Sequence, residues 1–161
     1  MQSNASMVLQ QLYFPIYFHG HWFVIVVQLK EKKFVIFDSC IRVFGEHSTY
    51  HKNVMKLFKP NFIKLWQETV IRDMGFLGFI TSFADVPQHD VEDDSGVFIM
   101  NFLELLEPSV NVKEKFGQSD IPNIRKKYVH DMIFYKANEE VDDVDILKNY
   151  DQQVFAKYFQ D

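Results

Sequence analysis

Cysteine is almost absent from this sequence, which has one, Cys40, among 161 residues. A single thiol excludes an internal disulfide framework and a cysteine-rich zinc site, and it suits a reducing compartment. No lysine or arginine precedes Lys30, so the basic start of a secretory signal is missing from the sequence. No apolar run approaches the ~20 residues that span a bilayer. We therefore expect an intracellular protein, nuclear or cytoplasmic, that does not bind membranes.

Positive charge is also scarce. The chain has 17 basic and 22 acidic residues and a net charge of -5. This balance gives no electrostatic attraction to the phosphates of DNA or RNA, so we exclude nucleic acid as a partner. Apolar side chains are plentiful instead, at 47% hydrophobic and 16% aromatic. A chain of this length and composition can fold as one domain around a sizeable core.

Runs of β-branched and aromatic residues predict strands in the first part of the chain. They cover residues 14–18, 22–29 and 34–37, and a short polar break between the last two predicts a tight hairpin. The run 22–27 has no polar alternation, which is typical of a central strand covered on both faces. We expect another buried strand over 79–84.

Helical spacing of apolar residues begins after the hairpin. A stripe of four such residues predicts an amphipathic helix. Its members are Phe62, Leu65, Trp66 and Val70. We expect Pro60 to mark the point where this helix begins or an earlier one ends.

The second half of the chain predicts further helices. An apolar run over 97–106 indicates a core helix with Asp94 or Ser95 as its N-cap. The capping residues and proline of the stretch 119–122 predict the start of another helix. The acidic residues beyond it suggest a solvated linker. We therefore predict a domain over 1–137, followed by an acidic linker and a short C-terminal helix over 138–161.

Three polar residues come in an order that suggests nucleophilic chemistry. His21 heads the buried strand, Asp38 ends its hairpin partner, and Ser95 precedes the core helix. A base, an orienting carboxylate and a nucleophile at a helix N-terminus are the components of a catalytic triad. Paired strands can place His21 beside Asp38, and the helix dipole favours negative charge at Ser95.

The motifs around these residues resemble the successive signatures of the Ulp-type family of SUMO-specific cysteine proteases, especially its plant members. They are His21-Trp22-Phe23, Phe37-Asp38-Ser39, Val86-Pro87-Gln88, Asp94-Ser95-Gly96-Val97-Phe98 and Asp120-Ile121-Pro122-Asn123-Ile124-Arg125. The resemblance implies an α+β, papain-like fold with a small central sheet flanked by helices. It also implies that His21 is the general base, that Asp38 orients it, and that Trp22 covers a channel for the diglycine tail of a ubiquitin-like protein. No cofactor and no metal are implied.

The sequence departs from the family pattern at three places. Ser95 stands where the family has its nucleophilic cysteine, and a hydroxyl does not ionise near neutral pH as a thiol can. His89 stands at the position of the oxyanion glutamine, with Gln88 one place too early, and one lost oxyanion donor can cost ~10²-fold in rate. Family domains also carry a further segment before the His-Trp strand, so we expect an N-terminally shortened fold.

Each of these residues also has a plainer interpretation. Asp38 could be only a turn residue, and Ser95 could be only a helix cap. Cys40 lies two residues beyond Asp38. No helix N-terminus or oxyanion donor is expected around it, so we interpret Cys40 as a small buried hydrophobe.

The histidines also raise the question of a zinc site. His19 and His21 would share one face of a strand, and His47 and His51 one face of a helix. No third ligand recurs at a metal-binding spacing. The resemblance, moreover, gives His21 another role.

The combined pattern favours a catalytically degenerate Ulp-like domain that acts by protein binding, to a ubiquitin-like protein such as SUMO, to itself or to another protein. One alternative is an active SUMO-deconjugating cysteine protease captured as a Cys-to-Ser trap. Another is an interaction module whose partner is unrelated to ubiquitin-like proteins. Ser95, His21 and Asp38 would also form a serine hydrolase triad.

Overall fold

A computed structural model of the chain describes residues 10–40, 49–70, 72–90, 92–106 and 111–135. The chain forms two compact units, Met1–Ile121 and Pro122–Asp161. Every described strand lies in the first unit, together with the residues singled out as candidates for chemistry.

The described part of the first unit is built on a four-stranded sheet. Its strands are β1 (Gln11–Phe18), β2 (His21–Gln28), β3 (Lys33–Phe37) and β4 (Ile80–Phe83), in that spatial order. β2 is antiparallel to both of its neighbours, β1 and β3, and β4 is parallel to β3. The predicted hairpin and central strand are therefore both confirmed.

Burial along β2 follows from its central place. The five residues from Phe23 to Val27 are fully buried, since neighbouring strands and packed helices cover them. Trp22, at the start of the same strand, is 38% exposed. The turn before β2 is tight, because His19 and Gly20 have φ angles of 50° and 80°, as a two-residue hairpin loop requires. That turn fixes His21 as the first residue of β2.

The longest helix is α1 (Thr49–Val70), and it corrects two predictions. Pro60 neither begins nor ends a helix, since it lies inside α1 with its ring exposed. A proline removes only one backbone hydrogen bond, and the apolar contacts on both sides of it hold the helix together. Of the predicted stripe, Phe62 and Trp66 are buried, but Leu65 and Val70 are 59% and 45% exposed.

The core helix of the second half is α2 (Ser95–Leu105), which buries Val97, Phe98 and Phe102 as its apolar run predicts. The expected strand over 79–84 is shorter than predicted, and it is the outermost strand on its side of the sheet. None of its four residues is buried, and Ile80 is 59% exposed, so the prediction of a buried strand was wrong.

The predicted later helix is α3 (Ile121–Phe134), which follows a 3-10 turn at Gln118–Asp120. Ile121 is its buried residue, whereas Met132 is 64% exposed. The predicted linker and helix over 138–161 lie outside the described residues. Among the helices that the structure describes, none is long and apolar enough to cross a membrane.

Candidate active site

His21 and Asp38 form the centre of the candidate site. His21 begins β2, Asp38 follows β3, and the antiparallel pairing of these strands brings the two side chains together. His21 Nε2 lies 2.7 Å from Asp38 Oδ1, and the main-chain N–H of Cys40 donates to the same oxygen at 2.8 Å. His21 is 6% exposed and Asp38 is fully buried.

The Asp38 carboxylate is ionised despite its burial. Burial alone would raise its pKa, but hydrogen bonds from His21 and His51 outweigh that effect and lower the pKa to about 2. An ionised carboxylate accepts hydrogen bonds only. The ring nitrogen of His21 that faces Asp38 must therefore carry a proton, and Nδ1 is the ring nitrogen that does not face Asp38.

A second histidine contacts the same carboxylate. His51, near the start of α1, places Nε2 2.6 Å from Asp38 Oδ2 and is 2% exposed. The sequence suggested only a pairing of His51 with His47, and His47 lies outside the described residues. His51 does fall on the helical stripe of Val54 and Met55, both buried, and that spacing was the signal that could have placed it on the inner face.

Ser95 contacts the backbone of the strand that begins with His21. It is the first residue of α2 and 3% exposed, and its Oγ accepts a hydrogen bond from the main-chain N–H of Trp22 at 3.3 Å. Trp22 directly follows His21, so this bond connects the hydroxyl to the strand backbone one residue from His21. Of the two predicted N-cap residues, Asp94 holds that position but its side chain makes no capping hydrogen bond, and Ser95 is already inside the helix.

The Trp22 side chain lies at the surface above the start of α2. Its indole packs against the ring of Tyr17 at 4.9 Å between centroids. A Cβ added at Gly96 would lie at an ordinary contact distance of 3.6 Å from the indole Cδ1, so the tryptophan lies close to the helix backbone. Tyr17 and Trp22 are 59% and 38% exposed, and together they form an aromatic surface beside Ser95.

The loop before α2 separates the roles of Gln88 and His89. Gln88 Nε2 donates to the carbonyl of Asp38 at 2.9 Å and to that of Val86 at 3.2 Å, so this amide braces the backbone. The main-chain N–H of His89 donates to the Ser39 carbonyl at 2.8 Å. The His89 ring is 5% exposed, with its centroid 5.7 Å from that of His21. His89, and not Gln88, thus presents the side chain next to the imidazole.

Gln118 is a second residue that the sequence did not single out. Its Nε2 donates to Asp94 Oδ2 at 2.5 Å, and its Oε1 accepts from the main-chain N–H of Asp90 at 3.4 Å. Both partners lie just before α2. Gln118 therefore holds the loop that leads to Ser95 in place. Its two partners are 24 and 28 residues away in the sequence, so no local pattern predicts these contacts.

The predicted alternatives for histidine and cysteine can be placed as well. In the part of the chain that the structure describes, no cluster of three or more histidine, cysteine or acidic residues could hold a metal ion. His21 and His51 both direct Nε2 at Asp38 instead. Cys40 is 8% exposed and contributes its main-chain N–H to Asp38.

Sequence comparison identifies the family. The profile of the C-terminal catalytic domain of the Ulp1 protease family matches residues 6–137, which is most of the chain. The chain belongs to the Ulp1 protease family. Sentrin-specific protease 5 of Macaca fascicularis and of Homo sapiens are each 26% identical to this Ulp1-family chain over 125 residues. These matches cover 72% of the chain and 14% of each relative, so the chain spans a small part of their length.

Solved structures share the fold of this Ulp1-family chain. The C-terminal Ulp1 protease domain in complex with Smt3, the yeast ortholog of SUMO, aligns with a TM-score of 0.56 and 22% identity. The SUMO protease Ulp1 with its catalytic cysteine oxidised to a sulfenic acid aligns with a TM-score of 0.59 and 19% identity. Each alignment covers 76% of this chain and 52% of the solved chain. The predicted α+β fold of the Ulp type is confirmed.

Proposed function

We propose that this Ulp1-family domain binds a SUMO-type ubiquitin-like protein and does not cleave it, because Ser95 occupies the position of the nucleophile. One observation carries the proposal: the Ser95 hydroxyl lies at the start of α2, bonded to the residue that follows His21, with His21 bonded to Asp38. A base, an orienting carboxylate and a helix N-terminus are the components that a nucleophile at this position would need. We also propose that the protein is intracellular, nuclear or cytoplasmic, and that it resembles the plant members of the family.

The expected inactivity follows from the chemistry of the hydroxyl. A thiol beside an imidazolium at a helix N-terminus can lose its proton before attack, whereas a serine hydroxyl must lose it during attack. His21 Nδ1 would have to accept that proton, since Asp38 engages Nε2. His89 also stands where the family pattern has an oxyanion glutamine. Its buried ring differs in reach from an amide and weakens stabilisation of the tetrahedral intermediate.

The expected partner follows from the surface beside Ser95. Tyr17 and Trp22 are large, exposed aromatic side chains next to a buried polar centre, and such residues often anchor protein interfaces. The solved Ulp1 domain aligned above was captured with Smt3, the yeast ortholog of SUMO. A flexible diglycine tail passing under Trp22 would reach the Ser95 hydroxyl.

Titration calorimetry with full-length SUMO and with SUMO lacking its diglycine tail tests the binding. We expect the tailed protein to bind more tightly, and a SUMO precursor to remain uncut after prolonged incubation. Equal affinity for both forms would show that the tail is not recognised. Absence of any binding would favour an interaction module with an unrelated partner. Tail-dependent binding followed by rapid cleavage on changing Ser95→Cys is the behaviour of an active protease trapped by a serine.

A further inference from the structure

The Asp38 carboxylate has two imidazole partners, one on each oxygen. His21 Nε2 lies 2.7 Å from Oδ1, and His51 Nε2 lies 2.6 Å from Oδ2. The carboxylate is fully buried, and both histidines are at most 6% exposed. Water therefore does not compete for either oxygen. His21 therefore occupies one carboxylate oxygen and His51 the other.

The geometry of a two-oxygen acceptor makes the two contacts dependent on each other. Rotating the carboxylate about its last side-chain bond would move both oxygens at once, so it would break the His51 contact together with the His21 contact. The Cys40 N–H, 2.8 Å from Oδ1, fixes the same orientation from the backbone. We infer that His51 is a positioning residue that locks the Asp38 carboxylate and, through it, the tautomer and orientation of His21; this role in reactivity rests on the function proposed above.

The surroundings of His51 suit a fixed donor. The rings of Phe23 and Phe83 meet the imidazole edge-on, at 5.6 Å and 5.0 Å between centroids. Tyr50 lies 5.1 Å away, and its hydroxyl donates to the Phe18 carbonyl at 2.6 Å. Packing among three aromatic side chains restrains the ring in the orientation that faces Asp38. His51 thus differs from an adaptable surface ligand.

Three substitutions separate the donor from the packing. His51→Gln keeps an N–H at the reach of Nε2, His51→Asn carries a donor that ends short of it, and His51→Leu supplies apolar volume with no donor. His130→Leu, on α3 and 52% exposed at the side chain, is the control for a histidine-to-leucine change elsewhere. All four are made in the full chain, once with Ser95 and once with Ser95→Cys.

The first readout needs no substrate. Ring nitrogen NMR shifts of His21 in the Ser95 chain should show the Nε2–H tautomer in the unaltered protein, in His51→Gln and in His130→Leu. We expect His51→Asn and His51→Leu to show a mixture of tautomers. The second readout is the rate at which the Ser95→Cys chains are labelled by SUMO with a C-terminal electrophile. We expect His51→Asn and His51→Leu to label on the order of 10²-fold more slowly, since a small misplacement costs that much.

Unchanged His21 shifts in both His51→Asn and His51→Leu would overturn the inference, whatever the labelling shows. If His51→Leu fails to fold, the comparison of His51→Gln with His51→Asn decides the question by the same two readouts. If no Ser95→Cys chain labels, the proposed function fails, while the NMR comparison still tests His51. If labelling proceeds equally in all variants, SUMO recognition stands and the positioning role of His51 is wrong.

Discussion

The main-chain N–H of Trp22 donates to the Oγ of Ser95 at 3.3 Å, across 73 residues of sequence. This bond joins the start of β2 to the start of α2 and thereby joins the candidate base to the candidate nucleophile. It uses one lone pair of the hydroxyl and leaves its proton available. Replacing the oxygen by sulfur would keep the position and change the acidity of the group.

Asp38 should make the stability of the protein depend on pH in the acid range. Its pKa of about 2 lies below the ordinary 3.8, so its ionised form contributes stability that is complete above about pH 4 and is lost as the pH falls towards 2. The contribution is about 2 kcal/mol, since one pKa unit corresponds to about 1.4 kcal/mol. We expect the free energy of urea unfolding to fall more steeply over this range in the unaltered chain than in Asp38→Asn.

The control for this titration is Asp85→Asn, whose carboxylate is 76% exposed and pairs with Lys113 at the surface. This variant should follow the unaltered chain across the acid range. Identical acid dependence in Asp38→Asn and the unaltered chain would mean that the buried carboxylate is not held in the ionised form.

His89→Gln should improve a chain that has a thiol nucleophile. In the Ser95→Cys background this change places an amide donor at the position that we propose for the oxyanion donor, and one such donor is worth ~10²-fold in rate. We expect labelling by electrophilic SUMO to accelerate by about 10-fold or more. His130→Gln is the matched control and should leave the rate unchanged. A slower His89→Gln would show that the histidine already supplies the better donor.

Trp22→Ala should weaken SUMO binding with little effect on stability. The indole is 38% exposed and packs mainly on Tyr17, so its loss removes a contact surface more than core packing. Interface aromatics often contribute about 2 kcal/mol, which corresponds to a loss of roughly 30-fold in affinity. Calorimetry with SUMO measures this loss of affinity in Trp22→Ala. Leu77→Ala, at an 88% exposed residue, is the control. Equal affinities in the two variants would place the SUMO surface elsewhere.

Turnover by the unaltered protein tests the serine hydrolase alternative. We expect the unaltered chain, Ser95→Ala and His21→Ala all to leave a SUMO precursor uncut, because a hydroxyl at a thiol site reacts slowly. Gel analysis over many hours is sensitive enough for a weak activity. Cleavage that both substitutions abolish would establish a serine nucleophile and end the account of an inactive domain.

The strands and the order of the motifs could be predicted because each depends on residues that are close together in the sequence. An uninterrupted apolar run identified the central strand, and a polar break beside it identified the hairpin that pairs Val24 with Phe37. Pro60 misled the prediction, since the local rule for proline takes no account of the core contacts made on either side of it. The sequence left Asp94 and Ser95 open as the N-cap, and Asp94 holds that position. The bond of Ser95 with Trp22 could not be predicted, because Trp22 comes from a distant strand.

His51 shows what sequence patterns leave out. The spacing within α1 could place it on the buried face, but its contact with Asp38 depends on where the helix lies against the sheet. No motif of the family resemblance contained it. The same holds for Gln118, whose partners lie in a loop far along the chain.

Covalent labelling by SUMO with a C-terminal electrophile tests the central claim most directly, with the unaltered chain and Ser95→Cys side by side. The account predicts that Ser95→Cys forms a SUMO adduct, at a rate that His89 limits, and that the unaltered chain forms none, because the proposed tail site and the His21–Asp38 pair need a thiol for the reaction. Failure of Ser95→Cys to form an adduct, in a chain that is folded by circular dichroism, would contradict it.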